Sequence, residues 1–471
     1  MTALPGLSLP GLSLAPALAP SSTETRTQDL PAGSEYRFEV PFTRTLRLRL
    51  LSGTAELFGT ELAPNSKDAY TLSGTKGAVY TWHGCRLELA GEPESEYVAE
   101  ETQMTSYANL HFALENAREK AETQKEIGPR VLVVGPENAG KTSLCKILTA
   151  YATKSGRQPV VVNLDPRQGL LSIPGALTAT TFASVLDVEE AGGWGSSPIS
   201  GPSAVPVKMP LVYQYGLGSP EEGKTFRPLV TRIALAVTSR LEEDEQARAS
   251  GCIIDTAGAS SHGKGGVYEN ITHIISEFSV NVLLVLGSER LYSDLSRKFS
   301  NRPSEDLISV IKLDKSGGCV DREEAYMQQL RQSQIRSYFF GQGSNNLSPH
   351  THWASYSSIK ILKINDASAG VGSSFLPGDD DDDVYGSTTA PIYETVAPSP
   401  AILNCLLAVT NASMTDRHEA IRDSSIKGYI YVADVDDTKE KVRLLAPLSG
   451  AIPTTAMVMG TFPEDVSGLV G

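Results

Sequence analysis

At 471 residues the chain is too long for one compact core, so two or three domains are expected. Its apolar and charged fractions are those of an ordinary soluble protein, and a net charge of −14 argues against a broad nucleic-acid-coating surface while leaving room for one local cationic site. Five scattered cysteines with no Cys-x-x-Cys or Cys/His spacing fit a reducing compartment, not a disulfide framework or a zinc centre.

The opening stretch MTALPGLSLPGLSLAPALAPSS carries no basic residue before Arg26, and its prolines break any helix a secretion signal would need. Residues 1–28 are therefore expected to form a disordered tail. No uninterrupted apolar run approaches the roughly 20 residues that cross a bilayer, so an intracellular, soluble protein without membrane attachment is expected.

From Glu35 to Leu89 the segments YRFEV, LRLRLL, TAELFG and AVYTWHGCRLEL alternate apolar and polar residues between turn signals, the pattern of a small all-β domain assigned to residues 29–105. SYANLHFALENAREKAETQKE then predicts a helix. Residues 106–345 alternate strand-like and helix-like segments, and PVVVNLD, SGCIIDTAG and VNVLLVLG are continuous apolar runs suited to parallel strands buried on both faces. The stretches 191–206 and GSNNLSPH (343–350) read as loops, with His350 and His352 as loop residues. Residues 346–471 mix the strands SSIKILKI, AILNCLLAVT, GYIYVADVD and KVRLLAPL with loops. The acidic run Asp379–Asp383, inside an expected loop at 377–390, reads as a solvated segment because adjacent like charges repel. The fold class is thus α/β: a central P-loop domain with a mostly parallel sheet, a small N-terminal all-β domain, and a C-terminal domain that is α/β or mostly β.

The chemistry centres on Gly135-Pro-Glu-Asn-Ala-Gly140-Lys141-Thr142, which matches G-x-x-x-x-G-K-[ST]. The glycines let backbone N–H groups turn inward around phosphate oxygens, and the following helix adds its positive end. Lys141 is expected to reach the β- and γ-phosphates, and Thr142 to bind Mg²⁺. The flanks agree: an apolar strand precedes, and Leu144, Ile147 and Leu148 share one helical face after it. Two strand-end carboxylates, Asp165 in VVVNLDPRQG and Asp255 in CIIDTAG, are candidates to orient the cation or to take a proton from an attacking hydroxyl.

Three functions compete for such a core: a 5′-hydroxyl kinase using Asp165 as base, a GPN-like GTPase using Asp255–Gly258 as a switch, and a scaffold holding the nucleotide as a structural ligand. The GTPase lacks its guanine reader, since Ile311-Lys312-Leu313-Asp314 puts isoleucine where an amide or hydroxyl is required, and no Gly-Pro-Asn tripeptide occurs.

A wider resemblance covers nearly the whole chain. SEYRFEV, TAELFGTEL and TKGAVYTWHGC resemble the N-terminal β domain of the Clp-type polynucleotide 5′-hydroxyl kinase family, which includes subunits of the pre-mRNA cleavage and polyadenylation machinery. GPENAGKTS, NLDPRQGLLSIPGAL, MPLVYQYG, SGCIIDTAG and VLGSERLYSDLSRKF follow in that family's order and approximate spacing. The resemblance implies that Glu35 and Lys76 reach the adenine and that Asn138, Ala139, Gly140, Lys141, Thr142 and Ser143 hold the phosphates of ATP; from the motif and the strand-end position, Thr142 and Asp255 are the residues expected to attend Mg²⁺. It implies Asp165 as the general base of an active kinase, and Arg290 and Arg297 as lid arginines. They are seven positions apart on one helix and so able to face one way.

Two departures bear on the acceptor. Active members carry T-x-G-W, whose tryptophan stacks on the nucleotide bearing the 5′-hydroxyl, whereas this chain reads Thr256-Ala257-Gly258-Ala259. Stacking on an aromatic is worth about 1–3 kcal/mol per base. Active members also carry roughly D-x-G-Q, whereas Asp165-Pro-Arg167-Gln168 has arginine in the glycine's place, where it would crowd an incoming nucleic acid or instead contact a phosphate. The pattern resembles fungal-type members, which look like ATP-binding subunits. The expectation is a nuclear scaffold whose ATP stabilises the domain arrangement and partner binding. The implied partners are a long scaffold protein that also binds the RNA polymerase II tail, and other cleavage and polyadenylation subunits.

Overall fold

The computed structural model describes residues 24–169, 172–189, 194, 210–220, 225–263, 267–299, 307–342, 345–365, 391–450 and 454–470. The acidic run at 379–383 and the 191–206 stretch apart from Trp194 lie outside these. Two compact units emerge, one from the described residues within Met1–Leu57, Glu61–Glu101 and Ser467–Gly471, the other from Phe58–Thr60 and Thr102–Val466.

In the first unit, alternation dictates the layers. Along LRLRLL the side chains of Leu46, Leu48 and Leu50 are all buried while Arg47 points outward, and Leu87 and Leu89 repeat the pattern on the neighbouring strand Cys85–Ala90. Burying each such side chain stabilises by about 1.5–3 kcal/mol. A second sheet is centred on Ser34–Val40, flanked by Thr75–Thr81 and Ser95–Ala99. One boundary shifts from the expectation: Thr25–Leu30 is a strand paired along its whole length with Cys85–Ala90, so residues 25–28 belong to the β unit and not to the tail. Its sequence TRTQDL buries only Leu30, and without an apolar face it carries no periodic signal.

The core of the second unit is a seven-stranded sheet: β1 (Arg130–Val134), β2 (Val160–Leu164), β3 (Ala176–Thr181), β4 (Leu211–Gln214), β5 (Cys252–Thr256), β6 (Val282–Leu286) and β7 (Ser309–Leu313). The spatial order is β4-β3-β2-β5-β1-β6-β7. β2, β5, β1, β6 and β7 run parallel, and β3 and β4 add antiparallel strands at one edge. The continuous apolar runs of β1, β2 and β5 are buried throughout or nearly so, as helices on both faces require. Because β5 lies between β1 and β2, with Asp255 registered against both Val133 and Asn163, the carboxyl ends of three parallel strands meet at one crevice.

The C-terminal portion of this unit is a second seven-stranded sheet, antiparallel except where Lys360–Ile364 runs parallel to Thr455–Met459. It joins the core at β4: the Tyr429 hydroxyl donates to Gln214 Oε1 at 2.7 Å, and Tyr429 N–H donates to the Tyr338 hydroxyl at 2.9 Å. The loop reading of 343–350 is corrected here. Asn345–Asn346 pairs with Gly341–Gln342, and His350–Ser355 forms an edge strand against Lys441–Ala446 that carries both histidines. Half-exposed on an edge, HTHWAS needs no apolar alternation, which is why it does not read as a strand. Trp194, within the expected surface insertion, is buried against the Phe182 ring. Among the described residues no helix is long and apolar enough to cross a membrane.

Candidate nucleotide site

The loop from β1 to the helix Lys141–Lys154 turns on two glycines. Gly135 has φ +153°, and a Cβ there would stand 2.6 Å from the Leu286 carbonyl oxygen; Gly140 has φ +90° at the helix N-cap. Only glycine accepts both the conformation and the close approach. Asn138 takes φ +55° between them, an excursion its side chain tolerates. The loop is braced from β5: Thr256 donates its hydroxyl to the Val133 carbonyl at 2.7 Å. The Ser261 hydroxyl accepts from Gly135 N–H and donates to its carbonyl, both at 3.0 Å.

Lys141 is 7% exposed and donates to the Pro136 carbonyl at 2.7 Å, folded into the cradle. Burial draws its pKa down against the opposing pull of Asp255 and Asp165, with Arg322 adding a smaller push in the same direction as burial. Thr142 donates to Asp255 Oδ2 at 2.6 Å and lies 3.5 Å from Gln168 Oε1. Asp255 is fully buried, and burial pushes its pKa up to about 6 despite the Thr142 hydroxyl and Lys141. Its Oδ1 has no hydrogen-bond partner among the described residues. An orphaned, buried carboxylate oxygen beside a threonine hydroxyl is chemistry that suits a hard divalent cation. Ala139 is buried and Ser143 half-buried at the start of the helix.

Asp165 stands across the crevice, 6% exposed. Its Oδ1 accepts from Arg167 N–H at 3.0 Å and its Oδ2 from the Gln168 amide at 2.9 Å, while its own N–H donates to Asn163 at 2.9 Å. The Arg167 side chain turns to Glu324 at 2.6 Å and lies 3.8 Å from Glu137. Gly258 packs so tightly on Glu137 that a Cβ would come within 2.4 Å of its Cγ, and Ala259, half-buried in the turn Gly258–Ser261, offers no ring.

Each remaining expected residue has local partners of its own. Arg290 is 82% exposed and lies 4.0 Å from Asp294 on its own helix; Arg297, also exposed, is in that helix's last turn. Glu35, in the first unit, is ion-paired with Arg37 at 2.7 Å, both side chains buried, and Lys76 with Glu39 at 2.6 Å. Lys312, in the segment tested as a guanine reader, is paired with Glu289.

The structure adds two residues that sequence reasoning passed over. Arg322 donates to Asn138 Oδ1 at 3.4 Å and is the cation whose field reaches Lys141. Cys319 lies over the helix start, where a Cβ on Gly140 would meet its sulfur at 2.7 Å. Both lie in DKSGGCVDREE after β7, a stretch with no motif of its own. Pairing of β7 with β6, two places from β5, is what lays it over the cradle.

Comparison with known proteins agrees along the length. The mRNA cleavage and polyadenylation factor CLP1 P-loop domain matches residues 135–341, the N-terminal β-sandwich domain of polyadenylation factor matches 29–121, and the pre-mRNA cleavage complex II protein Clp1 domain matches 347–464. A protein of Phaeosphaeria nodorum named mRNA cleavage and polyadenylation factor CLP1 is 62% identical, over 99% of this chain and all of its own. A solved wild-type complex of Clp1p with a segment of Pcf11p aligns with TM-score 0.80 and 28% identity, covering 94% of this chain and 98% of that one. Another, which describes an extended Pcf11p–Clp1p interface and the structural basis for ATP loss in a glycine-to-arginine mutant, aligns with TM-score 0.81 and 28% identity, covering 94% of this chain and 99% of that one. With all three domains matched in order around an intact phosphate cradle, the chain belongs to the Clp1 family of mRNA cleavage and polyadenylation factors.

Proposed function

We propose that this chain holds ATP with Mg²⁺ in the cradle at Gly135–Ser143 and serves as a nucleotide-stabilised scaffold subunit of the nuclear pre-mRNA cleavage and polyadenylation machinery, without turning the nucleotide over. What carries the reading is an asymmetry at one crevice. On the phosphate side Lys141, Thr142 and Asp255 are assembled within hydrogen-bonding reach of the loop. On the acceptor side both Asp165 oxygens already accept hydrogen bonds, Arg167 is held by Glu324, and Ala259 supplies no stacking surface. The cation, when bound, would neutralise phosphate charge; Thr142 and Asp255 are the residues proposed to hold it. A ligand that binds only the folded chain stabilises it by mass action, about 2.7 kcal/mol at a hundredfold excess over Kd.

The proposed partner is the counterpart of the Pcf11p segment seated on Clp1p in the solved complexes. The resemblance extends its role to binding the RNA polymerase II tail. Glu35 and Lys76 as base-contacting residues, and Arg290 and Arg297 as lid arginines, rest on the resemblance alone. A kinase is the second reading, favoured by the proximity of Asp165 to Lys141.

The test is to denature protein purified without added nucleotide and identify what is released, then to incubate native protein with labelled ATP and a 5′-hydroxyl RNA. Intact ATP in near one-to-one amount with no end-labelling is expected. End-labelling that disappears in Asp165→Ala would overturn the scaffold reading in favour of the kinase.

A further inference from the structure

The segment draped over the cradle ends at the helix Glu324–Phe340, and the first residue of that helix is a junction. Glu324 accepts from two arginines, one on each oxygen: Arg167 Nη2 reaches Oε2 at 2.6 Å from the loop after β2, and Arg331 Nη2 reaches Oε1 at 2.7 Å from two turns along the helix. Arg322, two residues before Glu324, is the group that touches Asn138 of the phosphate loop. Arg331 is 1% exposed, so its guanidinium depends on its carboxylate partners. It donates Nε to Glu464 Oε2 at 3.0 Å and Nη2 to Glu464 Oε1, and stacks 5.3 Å from the centre of the Phe462 ring.

Glu464 belongs to a stretch fixed on both sides. Just before it, Thr455–Met459 is an inner strand of the C-terminal sheet. Within it, Thr461 and Phe462 N–H groups donate to the Gly216 carbonyl at 2.9 and 3.1 Å, directly after β4. Gly175, ahead of β3, abuts the same stretch so closely that a Cβ would stand 2.8 Å from the Phe462 carbonyl oxygen. Glu464, Arg331, Glu324 and Arg167 thus form a continuous chain of charge pairs from the C-terminal sheet to the Asp165 loop. The Cys319–Arg322 segment hangs from its middle.

We propose that this chain of charges couples nucleotide occupancy to the C-terminal module, with Glu324 and Arg331 as positioning residues. A triphosphate in the cradle engages Arg322. That fixes the helix start at Glu324, and the shared carboxylate transmits the constraint through Arg331 to residues 460–466. Coupling of this kind is reciprocal, so ordering the C-terminal stretch also tightens the nucleotide. The inference rests on ATP binding at this cradle, and the experiment separates the two.

Full-length protein freed of co-purified nucleotide is compared with Glu464→Gln and Glu464→Asp, freed in the same way, by calorimetric titration with MgATP and by amide hydrogen exchange with and without nucleotide. ATP is expected to slow exchange at 460–466 in the wild type beyond any change at Lys360–Ile364, an internal control in the same sheet. Glu464→Gln, which touches no residue of the phosphate loop, is expected to weaken ATP roughly fivefold and to abolish the selective protection, as coupling of modest size requires. Glu464→Asp is expected to restore part of both. Wild-type protein that binds ATP without selective protection at 460–466 would overturn the coupling, as would unchanged ATP affinity in Glu464→Gln. Wild-type protein that fails to bind ATP would remove the reading on which it rests.

Discussion

Asp255→Asn separates the cost of a buried carboxylate from its use. In protein free of nucleotide and metal, burial raises the Asp255 pKa from 3.8 to about 6. Between those values the folded chain keeps a proton that the unfolded chain releases. For this group, native stability is therefore greatest below pH 3.8, falls as pH rises toward 6, and stays reduced above it. At 1.36 kcal/mol per pH unit the loss reaches about 3 kcal/mol. Asparagine does not titrate and lacks the decline. Placing its amide where Oδ1 has no partner costs about 1–3 kcal/mol at every pH, which offsets the curve without tilting it. The stability difference between variant and wild type should then move by about 2.4 kcal/mol in the variant's favour from pH 4 to pH 7. Urea unfolding followed by far-ultraviolet circular dichroism, at closely spaced pH values, measures this directly. Stability curves that stay parallel across the range would refute the assignment of the raised pKa to Asp255. MgATP should flatten the wild-type decline, because a cation at the carboxylate favours its charged form, and should bind the variant far more weakly.

Three further substitutions probe the site and its support. Gly140→Ala should cut ATP affinity at least tenfold in calorimetry, because of both its φ of +90° and the Cys319 sulfur 2.7 Å from the new Cβ. Adding Cys319→Ala should recover only the steric part, leaving about 1 kcal/mol of backbone strain. Arg322→Ala should weaken ATP about tenfold to a hundredfold, the worth of one hydrogen bond from a charged group, whereas Arg290→Ala should change it less than twofold; equal effects would contradict the placement of Arg322 at the loop. Tyr429→Phe removes the bond to Gln214 and should destabilise the second unit by about 1–3 kcal/mol in thermal unfolding, with no change in ATP affinity at a temperature well below the transition.

What the sequence discloses depends on whether a residue's role is local. Gly135, Gly140, Lys141 and Thr142 act within one strand–loop–helix unit, so their spacing alone predicts the cradle, and the continuous apolar runs of β1, β2 and β5 predict parallel strands buried on both faces. The partnership of Thr142 with Asp255 spans 113 positions, yet it is foreseeable because Thr142 opens the helix that follows β1 and Asp255 lies near the carboxyl end of β5, the parallel strand beside β1. Arg322 is different. Its place depends on the order of β6 and β7 beside β1, and nothing in DKSGGCVDREE marks one arginine over the exposed Arg290 or Arg297. The same holds for Thr25–Leu30 and His350–Ser355, strands on sheet edges whose partners supply the pairing that their own patterns do not announce.

The two aspartates show how far strand-end position falls short of role. Both lie at the carboxyl ends of apolar parallel strands, Asp165 just after β2 and Asp255 within β5. Asp255 keeps an oxygen without a hydrogen-bond partner among the described residues, and burial raises its pKa to about 6. Asp165 is already engaged: the Arg167 N–H and the Gln168 amide occupy its two oxygens at hydrogen-bonding distance. A hydroxyl approaching it as substrate must share those oxygens, beside an arginine side chain anchored by Glu324, with no ring at Ala259 to steady the attached base. Proton abstraction needs close, aligned contact, and small misplacements cost orders of magnitude in rate. Releasing Asp165 would mean moving the Arg167 backbone N–H and the Gln168 amide, in a loop whose Arg167 side chain is pinned to Glu324 at one end of the chain leading to Glu464. The contacts that close the acceptor side are therefore continuous with those that brace the C-terminal module, and a loop that serves the second purpose is poorly placed to move for the first.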